Sequence, residues 1–312
     1  MGKIKSFSSC VKDELAREIP KKICCQKAEL YVAIRMSGLI KKEKQNFGVK
    51  IRTENASVAR KIITLIKKLF KEEINTYTKI KSYKNKRKRY FIEIPFQKKT
   101  AKLLKMLKYL DDKFEVRDKI PSCFIRKKCC QISFLRSCFY SRGYISKPES
   151  GYHLEILTNN QDDAKYILKI LNGFHINPKI YKRRGFFVVY LKKSEDIFDF
   201  LKLIGAHRTV LNLESIKVLK EAKSYIKRIV NFEAANLNKT IKASHKQIDN
   251  IIKIDNSIGL DLLPDALREI SYIRLEYPQA SLSELGKLGS KIISKSAVNN
   301  RLRRIQKIVE SL

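Results

Sequence analysis

Apolar positions along the first two hundred residues switch between a helical and a strand-like period. Residues 58–69 place an apolar side chain every three or four positions, which predicts an amphipathic helix, and residues 164–171 repeat this spacing. Residues 47–51 and 152–156 alternate apolar and polar side chains, as half-buried strands do. Two further strands are predicted at 90–95 and 186–191. The resulting order of helix, strands, helix, strands and helix is an α+β arrangement.

The same region repeats itself at a fixed offset of 105 residues. Cys24-Cys25-Gln26 recurs as Cys129-Cys130-Gln131. Eight more identities share this offset, with Leu30, Gly38, Ile40, Ile51, Thr53, Asn55, Ala59 and Ile62 recurring as Leu135, Gly143, Ile145, Ile156, Thr158, Asn160, Ala164 and Ile167. Two copies are too few for a solenoid, which needs three or more. They predict a duplicated unit folded into one pseudo-symmetric domain.

The pattern becomes wholly helical from about Tyr225. A long helical period is followed by a predicted helix from Pro264, a short helix at 281–288 and a final helix. The apolar positions expected to face inward in the last two helices are Leu282, Leu285 and Leu288, then Val298, Leu302, Ile305, Val309 and Leu312. Two helices on a short turn with Gly289, the second rich in Arg and Asn, are typical of a helix-turn-helix.

These patterns divide the chain into three parts. Residues 1–115 and 116–212 are predicted to be the two repeats, and residues 213–312 a helical linker with the C-terminal helix-turn-helix. The predicted fold class is therefore α+β, with a pseudo-two-fold αββαββα domain followed by an all-α domain.

The large positive net charge of the chain indicates a polyanionic binding partner. Lys and Arg number 67 against 31 Asp and Glu, a formal net charge of +36, and the excess is spread over the whole chain. Such a field attracts polyanions, so nucleic acid is the leading partner and an anionic membrane surface the second; a lysine-rich background composition is the other explanation. No apolar run is long enough to span a bilayer, and residues 1–20 lack a hydrophobic signal core. A cytoplasmic, nucleoid-associated protein without membrane contact is expected.

The last two helices carry the residues expected to contact DNA. These are Ser281, Lys295, Ser296, Asn299, Asn300, Arg301, Arg303 and Arg304. Arg can bind guanine through two hydrogen bonds, Asn can do the same with adenine, and Ser and Lys near a helix start can hold a phosphate. A solvated basic face on a terminal helix is the structural alternative.

A basic loop in the first repeat is a second candidate contact with phosphates. Seven cations and no acid lie between residues 79 and 89, and the second repeat has a shorter basic stretch in the equivalent place. The residues predicted to reach phosphates are Lys84, Lys86, Arg87 and Lys88. A solvated hairpin tip explains the same pattern equally well.

Seven cysteines, an odd number, are expected to be free thiols in a reducing compartment. There is no Cys-x-x-Cys pair, and Cys24-Cys25 and Cys129-Cys130 are adjacent pairs. A zinc site built from both copies is conceivable, but buried small apolar residues near a helix start are favoured. The four histidines share no ligand spacing. The sequence therefore predicts neither a metal nor a cofactor.

Residues 30–38 and 135–143 resemble the two LAGLIDADG helices of homing endonucleases. The resemblance implies two such helices packed at a pseudo-two-fold axis, with sheets that clasp DNA. The penultimate position of the family motif is an acid that binds catalytic Mg²⁺, and here it is Ser37 in one copy and Arg142 in the other. Neither can act as a carboxylate ligand, so no catalytic residue is assigned and no enzyme activity is expected.

A degenerate LAGLIDADG pair joined to a helix-turn-helix is similar to the WhiA family of bacterial regulators. The stretches that carry this resemblance are residues 6–15, 203–207, 230–240, 263–268, 278–286 and 294–302. The chain departs at Phe232 and Ala234, where Cys and Thr are expected. The resemblance implies a regulator that binds promoter regions of double-stranded DNA and controls transcription linked to cell division and chromosome segregation, or to sporulation in some bacteria. Another transcription regulator or RNA polymerase is the implied protein partner.

Two other functions stay open. The first is an active or relic DNA endonuclease of the LAGLIDADG type. An RNA-binding protein would use the basic β-loops instead of the C-terminal helix.

Overall fold

A computed structural model describes residues 5–44, 46–70, 75–82 and 88–312. Contacts divide the chain into two units, Met1–Lys217 and Val218–Leu312. The boundary falls within one long helix, α8, which spans His207–Ser257.

The first repeat has the predicted order of elements and is preceded by a helix, α1 (Phe7–Arg17). Its elements are α2 (Ile23–Ser37), β1 (Gly38–Glu43), β2 (Asn46–Thr53), α3 (Ala56–Leu69), β3 (Tyr77–Ser82), β4 (Lys88–Gln97) and α4 (Lys98–Met106). The Asn55 side chain accepts a hydrogen bond from the backbone N–H of Val58, which satisfies one free donor at the start of α3.

The second repeat has the same order. Its elements are α5 (Lys128–Arg142), β5 (Gly143–Ile145), β6 (Leu154–Thr158), α6 (Gln161–Asn172), β7 (Lys179–Arg183), β8 (Phe186–Leu191) and α7 (Ser194–Ile204). Asn160 caps α6 through the N–H of Asp163, as Asn55 caps α3. The predicted duplicated α+β fold is confirmed.

The two four-stranded antiparallel sheets share one topology and one register. Their strand orders are β1-β2-β4-β3 and β5-β6-β8-β7. Gly38 pairs with Ile51 in the first sheet and Gly143 with Ile156 in the second, so the pairing keeps the offset of the sequence repeat. The recurring Ile residues are buried because alternate residues of each strand face the helices.

Helices α2 and α5 pack against each other at the centre of the first unit. The Ser137 hydroxyl donates to the carbonyl of Glu29 at 2.7 Å, and Arg136 pairs with the Glu29 carboxylate at 2.9 Å. Gly38 and Gly143 end these helices, and a Cβ at either position would approach a carbonyl of the preceding turn to 2.4 or 2.5 Å. Glycine is therefore needed at both helix ends.

The second unit is helical. After α8 come α9 (Asp265–Glu276), α10 (Leu282–Leu288) and α11 (Lys295–Ser311). Its core contains ten buried apolar residues, namely Ile251, Ile254, Leu260, Leu263, Leu267, Ile270, Leu285, Val298, Leu302 and Ile305. Leu288 and Leu312, both predicted to face inward, are exposed. Leu288 is the last residue of the short α10, and Leu312 follows the last residue of α11. Within the described ranges, no helix is both long and apolar enough to cross a membrane.

Candidate nucleic-acid interface

A tight turn joins α10 and α11. The Ser281 side chain caps α10 and the Glu284 carboxylate reaches back to the Ser281 N–H at 2.7 Å, which forms a capping box. The N–H of Ile293 donates to the carbonyl of Gly286 at 2.9 Å. A Cβ on Gly286 would lie 2.3 Å from the Ile293 carbonyl oxygen. The helix-turn-helix thus depends on glycine at 286 as well as on the helix caps.

The buried seam of α11 sets which side of this helix faces solvent. Val298, Leu302 and Ile305 are buried in the core of the second unit, as their spacing predicted. The exposed residues with polar side chains at matching helical spacing include Ser296, Asn300, Arg303, Arg304 and Lys307, and Glu310 and Ser311 follow at the end of the helix. Residues three and four apart lie on one helix face, so these side chains form one polar surface. We call this surface the α11 face.

The predicted DNA-contacting residues do not all belong to the α11 face. Ser281 is the cap of α10. Asn299 is half-buried. Arg301 is also half-buried, and its guanidinium lies 3.6 Å from the Glu269 carboxylate. Lys295 is exposed at the first position of α11. Lys307 was not predicted, although its spacing of four from Arg303 places it on the same face.

Glu269 of α9 contacts the turn between α10 and α11. Its carboxylate accepts a hydrogen bond from the N–H of Ser290 at 2.6 Å. This bond and the nearby Arg301 lower the pKa of Glu269 below its usual value. Arg301 is therefore part of the contact between α9 and α11.

The degenerate metal positions lie at an open cleft in the first unit, where α2 and α5 end. Ser37 and Arg142 both line this cleft, which has a volume of about 1150 Å³. The Arg142 guanidinium donates to the Met36 carbonyl at 2.7 Å and stacks over the Phe186 ring at 5.7 Å. Arg142 thus connects the two central helices at a position where a carboxylate ligand would be needed for metal-dependent cleavage.

The cleft is strongly cationic. Its lining includes Lys5, Lys12, Lys50, Arg52, Lys88 and Arg142, with Glu54 as the acid among the lining residues. Burial lowers the pKa of Lys12 to about 8. A half-buried amine with a lowered pKa gains from a nearby anion, because the anion favours its charged form.

Some of the basic residues in the described parts of the β3–β4 and β7–β8 hairpins pair with acids on adjacent strands. Lys84, Lys86 and Arg87 lie outside the described residues, whereas Lys88 is exposed at the start of β4. Glu93 on β4 pairs with Lys50 at 2.7 Å and with Lys79 at 2.9 Å.

In the second repeat, Glu155 on β6 binds Arg183 at 2.7 Å. Burial would raise the Glu155 pKa, but hydrogen bonds from His153 and Arg183 bring it below its usual value. Acids on neighbouring strands thus supply partners for Lys79 and Arg183. The predicted phosphate contacts of Lys84, Lys86, Arg87 and Lys88 stay a prediction.

The structure also gathers cysteines from both repeats. Cys24 and Cys25 lie in the first turn of α2, and Cys129 and Cys130 lie in the first turn of α5. The four Sγ atoms all lie within 4.8 Å of one another. Their spacing along the chain resembles no common metal motif, and the repeat offset was the one signal that could have placed them together.

Together, the fold and the site define a LAGLIDADG-like domain with altered metal positions, followed by a helix-turn-helix domain. Three family models match the chain: the WhiA N-terminal LAGLIDADG-like domain at 23–110, the WhiA LAGLIDADG-like domain at 131–223 and the WhiA C-terminal HTH domain at 226–309. The chain belongs to the WhiA family.

Similar proteins cover nearly the whole chain. A probable cell division protein WhiA of Desulfitobacterium hafniense (strain Y51) is 42% identical, over 98% of this chain and 96% of its own length. One of Bacillus cytotoxicus is 40% identical, over 98% and 97%. The crystal structure of full-length WhiA from Thermatoga maritima superposes with a TM-score of 0.63 at 26% identity, covering 99% of both chains. These comparisons confirm the predicted family and fold.

Proposed function

We propose that this protein is a non-enzymatic transcription regulator that reads promoter DNA through the α11 face. The cell-division name of its relatives supports a role in division and chromosome segregation. Its place of action would be the nucleoid in the cytoplasm, and another transcription regulator or RNA polymerase would be its protein partner.

The observation that carries this proposal is the fixed orientation of α11. Its buried seam holds the helix in one rotation, so Asn300 and Arg303 are presented on the same exposed side. A recognition helix needs this preorganisation to place side chains at base edges in the major groove. Each base contact with two hydrogen bonds is worth about 1–3 kcal/mol of discrimination.

The test begins with a genuine target. DNA that co-purifies with the protein from cells is sequenced, and one enriched promoter is compared with random DNA at one salt concentration. Asn300→Ala and Arg303→Ala should weaken promoter binding by about tenfold and random binding much less. Arg268→Ala is the charge-matched control, because Arg268 already pairs with Asp265 at 2.6 Å within α9. Equal losses on both DNAs would sink the assignment of base contacts to the α11 face.

The absence of cleavage activity is the second part of the proposal. Ser37 and Arg142 occupy the positions where catalysis needs carboxylates, and Arg142 is hydrogen-bonded across the helix pair. Supercoiled plasmid incubated with the protein and Mg²⁺ or Mn²⁺ should stay intact. Nicking that co-elutes with the protein, and that a Glu54→Gln variant removes, would show an endonuclease.

The cationic cleft supports a second, sequence-independent contact with nucleic-acid backbone. Six Lys and Arg side chains converge there, and backbone contacts supply affinity without reading sequence. Competition between duplex DNA and duplex RNA for the full-length protein tests the RNA-binding alternative. Preference for RNA that cleft variants abolish, while α11 variants retain it, would favour that function.

A further inference from the structure

The four clustered cysteines form a site that the proposed DNA-binding function does not use. Cys25 and Cys130 are buried, and Cys24 and Cys129 are half-buried at the edge of the cluster. Each pair comes from a different repeat, and the two pairs are 105 positions apart in the sequence. Their meeting point is the contact between the first turns of α2 and α5.

The separations between the sulfurs are close to those of a site in which four thiolates bind one metal ion. Zinc bound by four cysteines has Zn–S distances of about 2.3 Å, which places the sulfurs about 3.8 Å apart. Here the Sγ atoms of Cys24 and Cys25 are 4.0 Å apart, and any two of the four Sγ atoms are within 4.8 Å of each other. The remaining difference from a bound site is at most about 1 Å for any two sulfurs.

The surroundings suit a negatively charged centre. Both cysteine pairs lie in the first turn of a helix, where the helix dipole favours negative charge. Exposed lysines precede both pairs, with Lys21 and Lys22 before the first and Lys127 and Lys128 before the second. One Zn²⁺ with four thiolates carries a charge of −2, so these lysines would offset it.

We propose that Cys24, Cys25, Cys129 and Cys130 bind one Zn²⁺ ion that links the two repeats at the start of their central helices. This proposal replaces the sequence-based expectation of metal-free thiols. On binding, the four thiols release their protons and each thiolate donates an electron pair to the metal, with no change of oxidation state. All four ligand positions are filled by protein, which is the pattern of a structural site.

The main alternative for the same residues is a disulfide between the repeats. A disulfide would join two of the four sulfurs, need an oxidant and leave the other pair as thiols. Zinc accounts for all four cysteines in one geometry and is compatible with a reducing compartment. The two chemistries give different masses and different metal contents.

Full-length protein is purified without chelators, and its zinc content is measured by elemental mass spectrometry. About one zinc per chain is expected. After the metal is stripped and replaced with Co²⁺, the thiolate-to-cobalt charge-transfer band and strong tetrahedral d–d bands should appear. These measurements need no variant, so they remain decisive if a substitution prevents folding.

Variants then assign the ligands. Cys25→Ser and Cys130→Ser should each reduce zinc retained after dialysis at least tenfold, whereas Cys10→Ser and Cys123→Ser, which alter exposed cysteines outside the cluster, should retain it. Three results would each overturn the proposal: zinc-free protein that gives no cobalt spectrum, zinc that persists in both cluster variants, or a non-reduced peptide map with a disulfide joining the repeats.

Discussion

The cleft of the first unit and the α11 face of the second are both cationic, but they are built differently. The cleft gathers cations from α1 and the residues just before it, from strands β2 and β4 and from the end of α5, around an open volume. The α11 face is a single row of side chains on one helix, whose rotation is set by three buried apolar residues. A converging set of charges suits a phosphate backbone, whereas an ordered row can also match base edges. The comparison therefore separates a contact for affinity from a contact for specificity.

The largest expected effect concerns a buried ion group that joins α2, α3 and α5 in the first unit. Glu29 is fully buried and pairs with Lys61 at 2.8 Å and with Arg136 at 2.9 Å. Glu29→Gln should lower the free energy of unfolding of the first unit by about 3 kcal/mol, because it leaves buried cations without a counter-charge. Denaturant unfolding measures this loss, and the exposed Glu43→Gln is the control. An unchanged unfolding midpoint would contradict the role given to this group.

A smaller loss is expected at the turn that orders the α11 face. Gly286→Ala brings its Cβ against the Ile293 carbonyl, so the second unit should lose about 2 kcal/mol of stability. Promoter selectivity should fall with it. Thermal unfolding and promoter binding are measured beside Ser283→Ala, which changes an exposed residue of the same helix. Wild-type stability in Gly286→Ala would mean that the turn is looser than described.

Salt dependence distinguishes the two surfaces more directly. Arg52→Gln together with Lys88→Gln should weaken binding to promoter and random DNA alike and reduce the salt slope of log affinity by about 2, since each phosphate contact contributes roughly one unit. Joint neutralisation of Lys84, Lys86, Arg87 and Lys88 is predicted, from sequence alone, to weaken binding to both DNAs alike and to flatten the salt dependence. If a cleft or loop variant loses the preference for promoter DNA while Arg303→Ala keeps it, the first unit recognises the DNA sequence.

The smallest expected effect is a pH dependence of the cleft. The Lys12 amine, with a pKa of about 8, is charged below that pH and neutral above it. Binding to random DNA should therefore weaken about twofold as pH rises from 7 to 9, because one favourable ion pair is lost. Lys12→Arg keeps its charge over this range and should remove the dependence. Titrations at fixed ionic strength measure both, and the same slope in the two proteins would exclude Lys12 as the cause.

Local patterns were enough to predict the repeated α+β unit, the helix-turn-helix and the apolar seam of α11. The alternation of a strand and the spacing of a helix show which side of that element is buried. Both patterns are local, because the residues that form them lie within a few positions of one another. The fixed offset of 105 residues also anticipated the matching strand register, because identical patterns fold into identical pairings. Helix rotation in the second unit follows from the same periodicity, and Leu288 and Leu312, both at helix ends, are exceptions.

Packing between distant segments set the chemistry that the patterns missed. Glu93 and Glu155 form ion pairs with basic residues of neighbouring strands, and Arg301 of α11 forms one with Glu269 of α9. The sequence relates the two cysteine pairs only through the repeat offset, and the packing of α2 against α5 brings their four sulfurs within 4.8 Å of one another. In each case the partners are far apart in the chain, so their distance depends on how whole elements pack, which periodicity within one element does not encode.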